Sequence, residues 1–209
     1  MNLFLAAEAK NPLSIKKLEE MVGGFRDKKI AYIPTAANGD KDGWEKWKEG
    51  GSWNVINTLG AKVTLIVLEK YGDKSVLKLL EGQDIIWFAG GMAGYLMYWL
   101  KRCGIDKNLK NILEKNNSWF VGSSAGSMVM GQSLDVGEWF FMDEEIGSVD
   151  IKPMGFVDFD IFPHYEENLL EQIKKNHKRN KLYLLKNGEE IIVRNGIMEL
   201  VGEERILVK

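Results

Sequence analysis

Short, nearly continuous apolar runs alternate along this chain with stretches whose apolar positions recur every three or four residues. The runs Asn2–Ala7, Lys29–Pro34, Ala61–Leu68, Asp84–Ala89 and Trp119–Ser123 predict strands buried on both faces. Between them, Leu13–Val22 reads as a helix, opened by Asn11-Pro12 and closed by Gly23-Gly24. Lys74–Leu80, Ala93–Arg102 and about Lys107–Lys115 read as three more. In the third of these four, Tyr95, Leu96, Trp99 and Leu100 form the inward set. A further helix is expected from about Asp42-Gly43, with Trp44, Trp47, Trp53 and Ile56 on an apolar side interrupted at Gly50-Gly51. Strand–helix alternation at this spacing predicts an α/β fold, a doubly wound and mostly parallel sheet.

After the fifth strand the rhythm changes. Ser133–Met154 mixes acids, glycines and aromatics without a clear period. Gly155–His164 reads as a strand entering a turn, and Tyr165–Asn176 as a helix. Leu182–Val208 is strand-like, with Asn-Gly at 187–188 and 195–196 as hairpin cues. The C-terminal quarter should therefore add antiparallel strands to the sheet's edge. No repeat, low-complexity segment or linker breaks the chain, so residues 1–209 are expected to form one α/β domain.

The fifth strand runs directly into Gly122-Ser123-Ser124-Ala125-Gly126, followed by an apolar stretch of helical habit. Gly-x-Ser-x-Gly between strand and helix is the layout of a nucleophile elbow, with Ser124 at the apex. A plain glycine-serine turn is the other reading of five such residues. In doubly wound sheets, ligands meet the C-terminal ends of the strands. Three loops are expected to converge there: Thr35–Asp40, Gly90–Ala93 and the Ser124 elbow.

Composition narrows the chemistry. The chain has 209 residues, 28 basic against 30 acidic, and a formal net charge of −2. No basic excess points to nucleic acid. No apolar stretch reaches the roughly 18 residues of a membrane span. The N-terminus lacks the basic leader and apolar segment of a signal peptide, so a cytoplasmic protein is the expectation. The single Cys103 excludes an internal disulfide and a cysteine-cluster metal site, and its helical context suits a core residue.

A serine hydroxyl needs a base within hydrogen-bond reach, and histidine suits best. The chain has two. His177 lies in the cationic segment Lys174–Asn180 and reads as a solvated surface residue. His164 follows a buried-looking strand and Pro163, so Ser124–His164 is the favoured pair. A histidine bonded to backbone at a turn remains the alternative. Acyl transfer also needs donors for an oxyanion. The backbone N–H of Ala125 supplies one, and Gly90-Gly91 at a neighbouring strand end supplies the other.

Val121-Gly-Ser-Ser-Ala-Gly126, Phe88-Ala-Gly-Gly91 before a helix, and Phe162-Pro-His164 together resemble the peptidase E family of serine peptidases. That family includes aspartyl dipeptidase and is related to cyanophycinase. The resemblance runs in order over essentially the whole chain. It implies a fold like that of class I glutamine amidotransferases (flavodoxin-like), with serine in place of their cysteine. It implies Ser124 as nucleophile, His164 as base, a small peptide as substrate, and neither metal nor organic cofactor. No nucleic acid or membrane partner is implied, and a monomer or homodimer is expected.

Two positions depart from the family. Aspartyl dipeptidase has a glutamate as third triad member before a C-terminal hairpin strand, and alignment places Asn187 there. Glu189 could take the role with a small shift. Asp160 is a further candidate, and Asp135 and Asp143 are weaker ones. Leu170 stands where aspartyl dipeptidase has an arginine for an N-terminal Asp. Leucine cannot make the bidentate pair with a carboxylate, so strict Asp-X cleavage is not expected. An amide or ester hydrolase of other specificity and a non-catalytic binding homologue are the alternative readings. The cluster Trp139, Phe140, Phe141 and Met142 reads equally as lid, subunit contact or core.

Overall fold

The computed structural model describes residues 1–40, 43–141, 151–178 and 180–208. A seven-stranded sheet has the order β3-β2-β4-β5-β1-β8-β9. The strands β1 (Asn2–Ala6), β2 (Lys29–Ile33), β3 (Lys62–Leu65), β4 (Ile85–Phe88) and β5 (Trp119–Ser123) run parallel. On the far side of β1, β8 (Glu190–Arg194) and β9 (Ile197–Val201) continue antiparallel.

Each central strand sends alternate side chains into two separate cores. Leu3, Leu5, Ala31, Ile33, Ile86, Phe88 and Phe120 join one cluster, with helices α3 (Leu77–Leu80), α4 (Ala93–Arg102) and α5 (Ile105–Asn116) against it. Phe4, Ala6, Ile30, Tyr32, Ile85, Trp87, Trp119 and Val121 join the other, which includes Leu18 of α1 (Pro12–Val22) and Ile56 of α2 (Gly51–Thr58). Burial on both faces is why these strands read as unbroken apolar runs. Helix α1 starts where Asn11 accepts the Leu13 N–H at 3.0 Å and ends at Gly23 in the left-handed conformation. Cys103 is buried beside the Leu68 carbonyl, as a core residue.

Several details differ from the sequence reading. The C-terminal strands divide between two sheets: β6 (Phe159–Phe162), β7 (Lys181–Leu184) and β10 (Ile206–Val208) form a separate sheet of order β10-β7-β6. The hairpin cue at Asn195-Gly196 joins β8 to β9. The cue at 187–188 does not make a hairpin, because β7 pairs with β6 and β10 while β8 crosses to β1. Trp44 is exposed, while Trp47 and Ile56 are buried. The segment is broken in two: a 3-10 turn at Lys46–Glu49, then α2 from Gly51. His177 is buried rather than solvated. It caps α8 (Leu170–Asn176), its N–H on the Ile173 carbonyl, where the chain turns back toward β7. The expected helix from Tyr165 begins as a 3-10 turn at Glu167–Leu169. No helix among the described residues is long and apolar enough to cross a membrane.

Candidate active site

Ser124 stands between β5 and the short helix α6 (Ala125–Met128), with φ 50° and ψ −112°. For a non-glycine residue this is a strained backbone, persisting only where its surroundings enforce it. Three hydrogen bonds do so. The Ser124 N–H donates to the Ala6 carbonyl at 3.0 Å, and the Ser124 carbonyl accepts from Ser127 and Met128 N–H at 2.8 and 3.0 Å. The flanking glycines answer a close approach. A Cβ on Gly122 would lie 2.7 Å from the Gly126 carbonyl oxygen, and one on Gly126 would lie 2.4 Å from the Phe88 carbonyl oxygen. Gly126→Ala should therefore push α6 off β4 and cost about 1–3 kcal/mol of stability. Urea melting reads this, and an unchanged midpoint would mean that the contact yields freely.

His164 also takes a left-handed φ, 57°. Its neighbours are tied down on both sides. The Leu185 N–H donates to the Phe162 carbonyl at 2.9 Å, and the Tyr165 N–H to the Leu185 carbonyl at 3.0 Å. The imidazole Nε2 lies 3.0 Å from Ser124 Oγ, and Nδ1 lies 2.6 Å from Asn187 Oδ1. An amide oxygen only accepts, so the ring proton sits on Nδ1 and the Nε2 lone pair faces the serine hydroxyl. Ser124, His164 and Asn187 thus form one chain of hydrogen bonds.

Two of the carboxylates weighed as alternatives to Asn187, Asp160 and Glu189, are engaged elsewhere. Asp160 is buried and accepts the N–H groups of Gln132 and Ser133, the Ser133 hydroxyl and the Asn180 amide, at 2.7–2.9 Å. It joins β6 to the segment after α6. Glu189 is paired with Arg205 at 2.8 Å. Asp135 opens α7 (Asp135–Trp139), and Asp143 lies outside the described residues. Trp139, Phe140 and Phe141 pack on Phe162, with ring centroids 5.9, 4.8 and 6.2 Å away, and so back the strand that delivers His164. Met142 lies outside the described residues.

Gly90 and Gly91 close the site from β4. A Cβ on Gly90 would sit 3.2 Å from Ser124 Cβ, so the two residues touch. Gly91 has φ 138°, and a Cβ there would lie 2.3 Å from the Ala36 carbonyl, so only glycine fits. Ala125, the first residue of α6, is wholly buried behind Ser124.

Ser124, His164, Gly90 and Gly91 open onto a cleft of about 810 Å³. Its other walls include Tyr32 and Trp47 as aromatic surface and Glu8, Lys10, Asp40, Lys46 and Glu49 as mixed charge. Burial pushes the Tyr32 phenol well above its ordinary range despite a Ser52 hydrogen bond, so it stays neutral. The Trp47 wall is held by Glu69, which accepts from Thr35 Oγ1 and Asn38 Nδ2 at 2.9 Å each. Asn38 in turn accepts the Trp47 indole N–H at 2.9 Å. The Thr35–Asp40 and Gly90–Ala93 loops and the elbow do meet at the strand ends. The loop after β1, with Glu8 and Lys10, is a fourth contributor that the sequence reading passed over. The same strand-end rule points to it, since β1 also runs parallel and ends at Ala6. No arginine lines the cleft among the described residues, and Leu170 of α8 stands apart from it.

A serine on a strand-to-helix elbow beside a histidine, at the C-terminal edge of a parallel α/β sheet, is the arrangement of a serine hydrolase. Comparison with known proteins narrows the class. The sequence model of peptidase family S51 matches residues 3–201, and the chain belongs to that family, the serine peptidases of the peptidase E and cyanophycinase kind. An uncharacterised peptidase of Listeria monocytogenes is 23% identical over 201 residues, covering 92% of this chain and 94% of its own. Another, from Listeria innocua, is 24% identical over 205 residues, covering 93% of each. Among solved structures, a candidate peptidase E protein from Listeria monocytogenes EGD-e matches with a TM-score of 0.77 at 23% identity, over 96% of this chain and 97% of that one. A peptidase from an acI-B1 actinobacterium matches with a TM-score of 0.68 at 18% identity, over 99% and 93%. At these identities the structural likeness speaks for the fold.

Proposed function

We propose that the protein hydrolyses short peptides through an acyl-enzyme on Ser124. The observation that carries this is the continuous hydrogen-bond chain from Ser124 Oγ through His164 to Asn187. Ser124 Oγ attacks the scissile carbonyl carbon while His164 Nε2 takes the hydroxyl proton. The N–H groups of Ala125 and Gly91, with Gly90 alongside, face the developing oxyanion. Such donors are worth roughly 10²–10³ in rate each. His164 returns the proton to the leaving amine, and water attacks the acyl-enzyme by the same route. Asn187 holds the Nδ1–H tautomer but, being neutral, stabilises the imidazolium less than a carboxylate does.

The aromatic wall and mixed charge of the cleft suit a peptide with more than one kind of end group. With Leu170 at the arginine's aligned position, and with Lys10 and Lys46 but no arginine among the described residues that line the cleft, strict selection of an N-terminal Asp is not expected. That observation also favours a second reading, hydrolysis of another amide or ester on the same machinery. A fluorophosphonate probe with peptide mapping should label Ser124. A digest of a peptide library beside simple esters, read by mass spectrometry, then separates the two readings. A folded protein that is not labelled at Ser124 overturns both.

A further inference from the structure

We propose that Arg205 and Glu189 are positioning residues for His164, because their ion pair clamps the turn that presents Asn187. The inference rests on the Ser124–His164–Asn187 reading above and adds two residues that touch neither substrate nor reacting atoms.

Asn187 lies in the turn between β7 and β8, which belong to different sheets, so no strand ladder fixes its shape. Glu189 closes that turn twice. Its N–H donates to the Lys186 carbonyl at 3.0 Å, and its carboxylate Oε2 accepts the Lys186 N–H at 2.8 Å. Asn187 is held between these two bonds. Gly188 follows it at φ 89°, the left-handed value that a type II turn asks of its third residue. The other carboxylate oxygen, Oε1, accepts the Glu203 N–H at 3.2 Å.

Arg205 holds the Glu189 carboxylate in place, with Nη1 2.8 Å from Oε2. Its Nη2 is 2.6 Å from Glu203 Oε2, and the guanidinium lies 5.6 Å from the centre of the Tyr165 ring. Tyr165 is the residue after His164. One cation therefore touches the neighbours of both hydrogen-bond partners: Glu189, two residues from Asn187, and Tyr165, one from His164. The Arg205 and Glu189 side chains are only 11% and 14% exposed, so water screens the pair little. Without the guanidinium, the carboxylate would turn toward solvent and release the Lys186 N–H. The Asn187 side chain would then move relative to His164. Displacements of about 1 Å in such alignments cost up to about 100-fold in rate.

The test is a double-mutant cycle read by the rate of fluorophosphonate labelling of Ser124, which needs no knowledge of the substrate. Arg205→Met should slow labelling about five- to tenfold, and Arg205→Lys by much less. Asn187→Ala should slow it tenfold or more. Arg205→Met placed on Asn187→Ala should add nothing, because its route to His164 is already gone. Full additivity, or wild-type labelling by Arg205→Met, overturns the proposal. Circular dichroism establishes folding; if Arg205→Met does not fold, Glu189→Gln, of equal size but without the ion pair, takes its place in the cycle. If wild type itself is not labelled, the catalytic reading has failed, and the clamp is read by NMR instead. With only two histidines in the chain, 15N-histidine labelling resolves the His164 Nδ1–H. That signal should be sharp in wild type and broadened in Arg205→Met. An unchanged signal overturns the proposal on its own.

Discussion

Ser124→Ala and His164→Ala should each lower kcat/KM on the best peptide substrate by about 10⁴-fold, and the double variant should lose no more than either one. The serine is a nucleophile only while a base takes its proton, and the base has no work without the serine. Residues that act as one unit fail together. On the proposed mechanism, what should survive in all three variants is binding plus the donors expected at Ala125 and Gly91, worth about 10³-fold over water. The Nε2 to Oγ distance of 3.0 Å already sits at hydrogen-bonding length before substrate arrives, so no rearrangement is needed to engage the pair. The measurement is steady-state kinetics on a substrate taken from the library digest. Losses that multiply in the double variant would mean that serine and histidine act in separate steps. A His164→Ala variant with more than about a tenth of wild-type activity would require another base.

The parts of the site that were legible in sequence are those imposed by close contact. At the elbow, backbone meets backbone near Gly122 and Gly126, and no side chain fits, so the glycines themselves announce the geometry. His164 was legible because only two histidines exist and Pro163 ends a buried strand beside it. Four of the five parallel strands, β1, β2, β4 and β5, were legible because burial on both faces makes them almost wholly apolar, while the edge strand β3 is only partly buried and is carried by Val63 and Leu65. What escaped was decided by pairings distant in sequence. Asn-Gly at 187–188 carries a local turn preference, and the turn forms, but whether it makes a hairpin depends on which strands flank it. Here β7 is taken by β6 and β10, so the same turn becomes a crossover that faces Asn187 toward His164. The exposed Trp44 and the buried His177 show the same limit: local polarity does not say where a chain turns inward. Glu189 and Glu190 are adjacent acids that look alike in sequence. One closes a turn against Arg205, and the other is sealed inside the sheet.

That second acid makes stability depend on pH. Glu190 opens β8 opposite Ala6 and has no exposed surface. Ser14 Oγ donates to its Oε2 at 2.7 Å, while Oε1 meets no hydrogen-bond partner among the described residues. Burial pushes its pKa up from 4.5 to about 7, against smaller opposing effects of Ser14 and Lys17. Below pH 4.5 both folded and unfolded chains hold the proton, and the group costs nothing. Between pH 4.5 and about 7 the unfolded chain has released it and the folded chain has not, so stability falls as pH rises. Above about pH 7 the folded chain carries a buried carboxylate, and the loss levels off at about 3 kcal/mol. Glu190→Gln keeps an oxygen for Ser14 and never ionises. It should match wild type near pH 4 and exceed it by about 2–3 kcal/mol at pH 8, or roughly 5–10 °C in Tm for a chain of this length. Urea melts from pH 4 to pH 8 check this, and parallel curves for the two proteins would refute it. The sign is the informative part: a carboxylate held in an ion pair stabilises as pH rises, whereas this one, buried and hydrogen-bonded by the Ser14 hydroxyl, does the reverse.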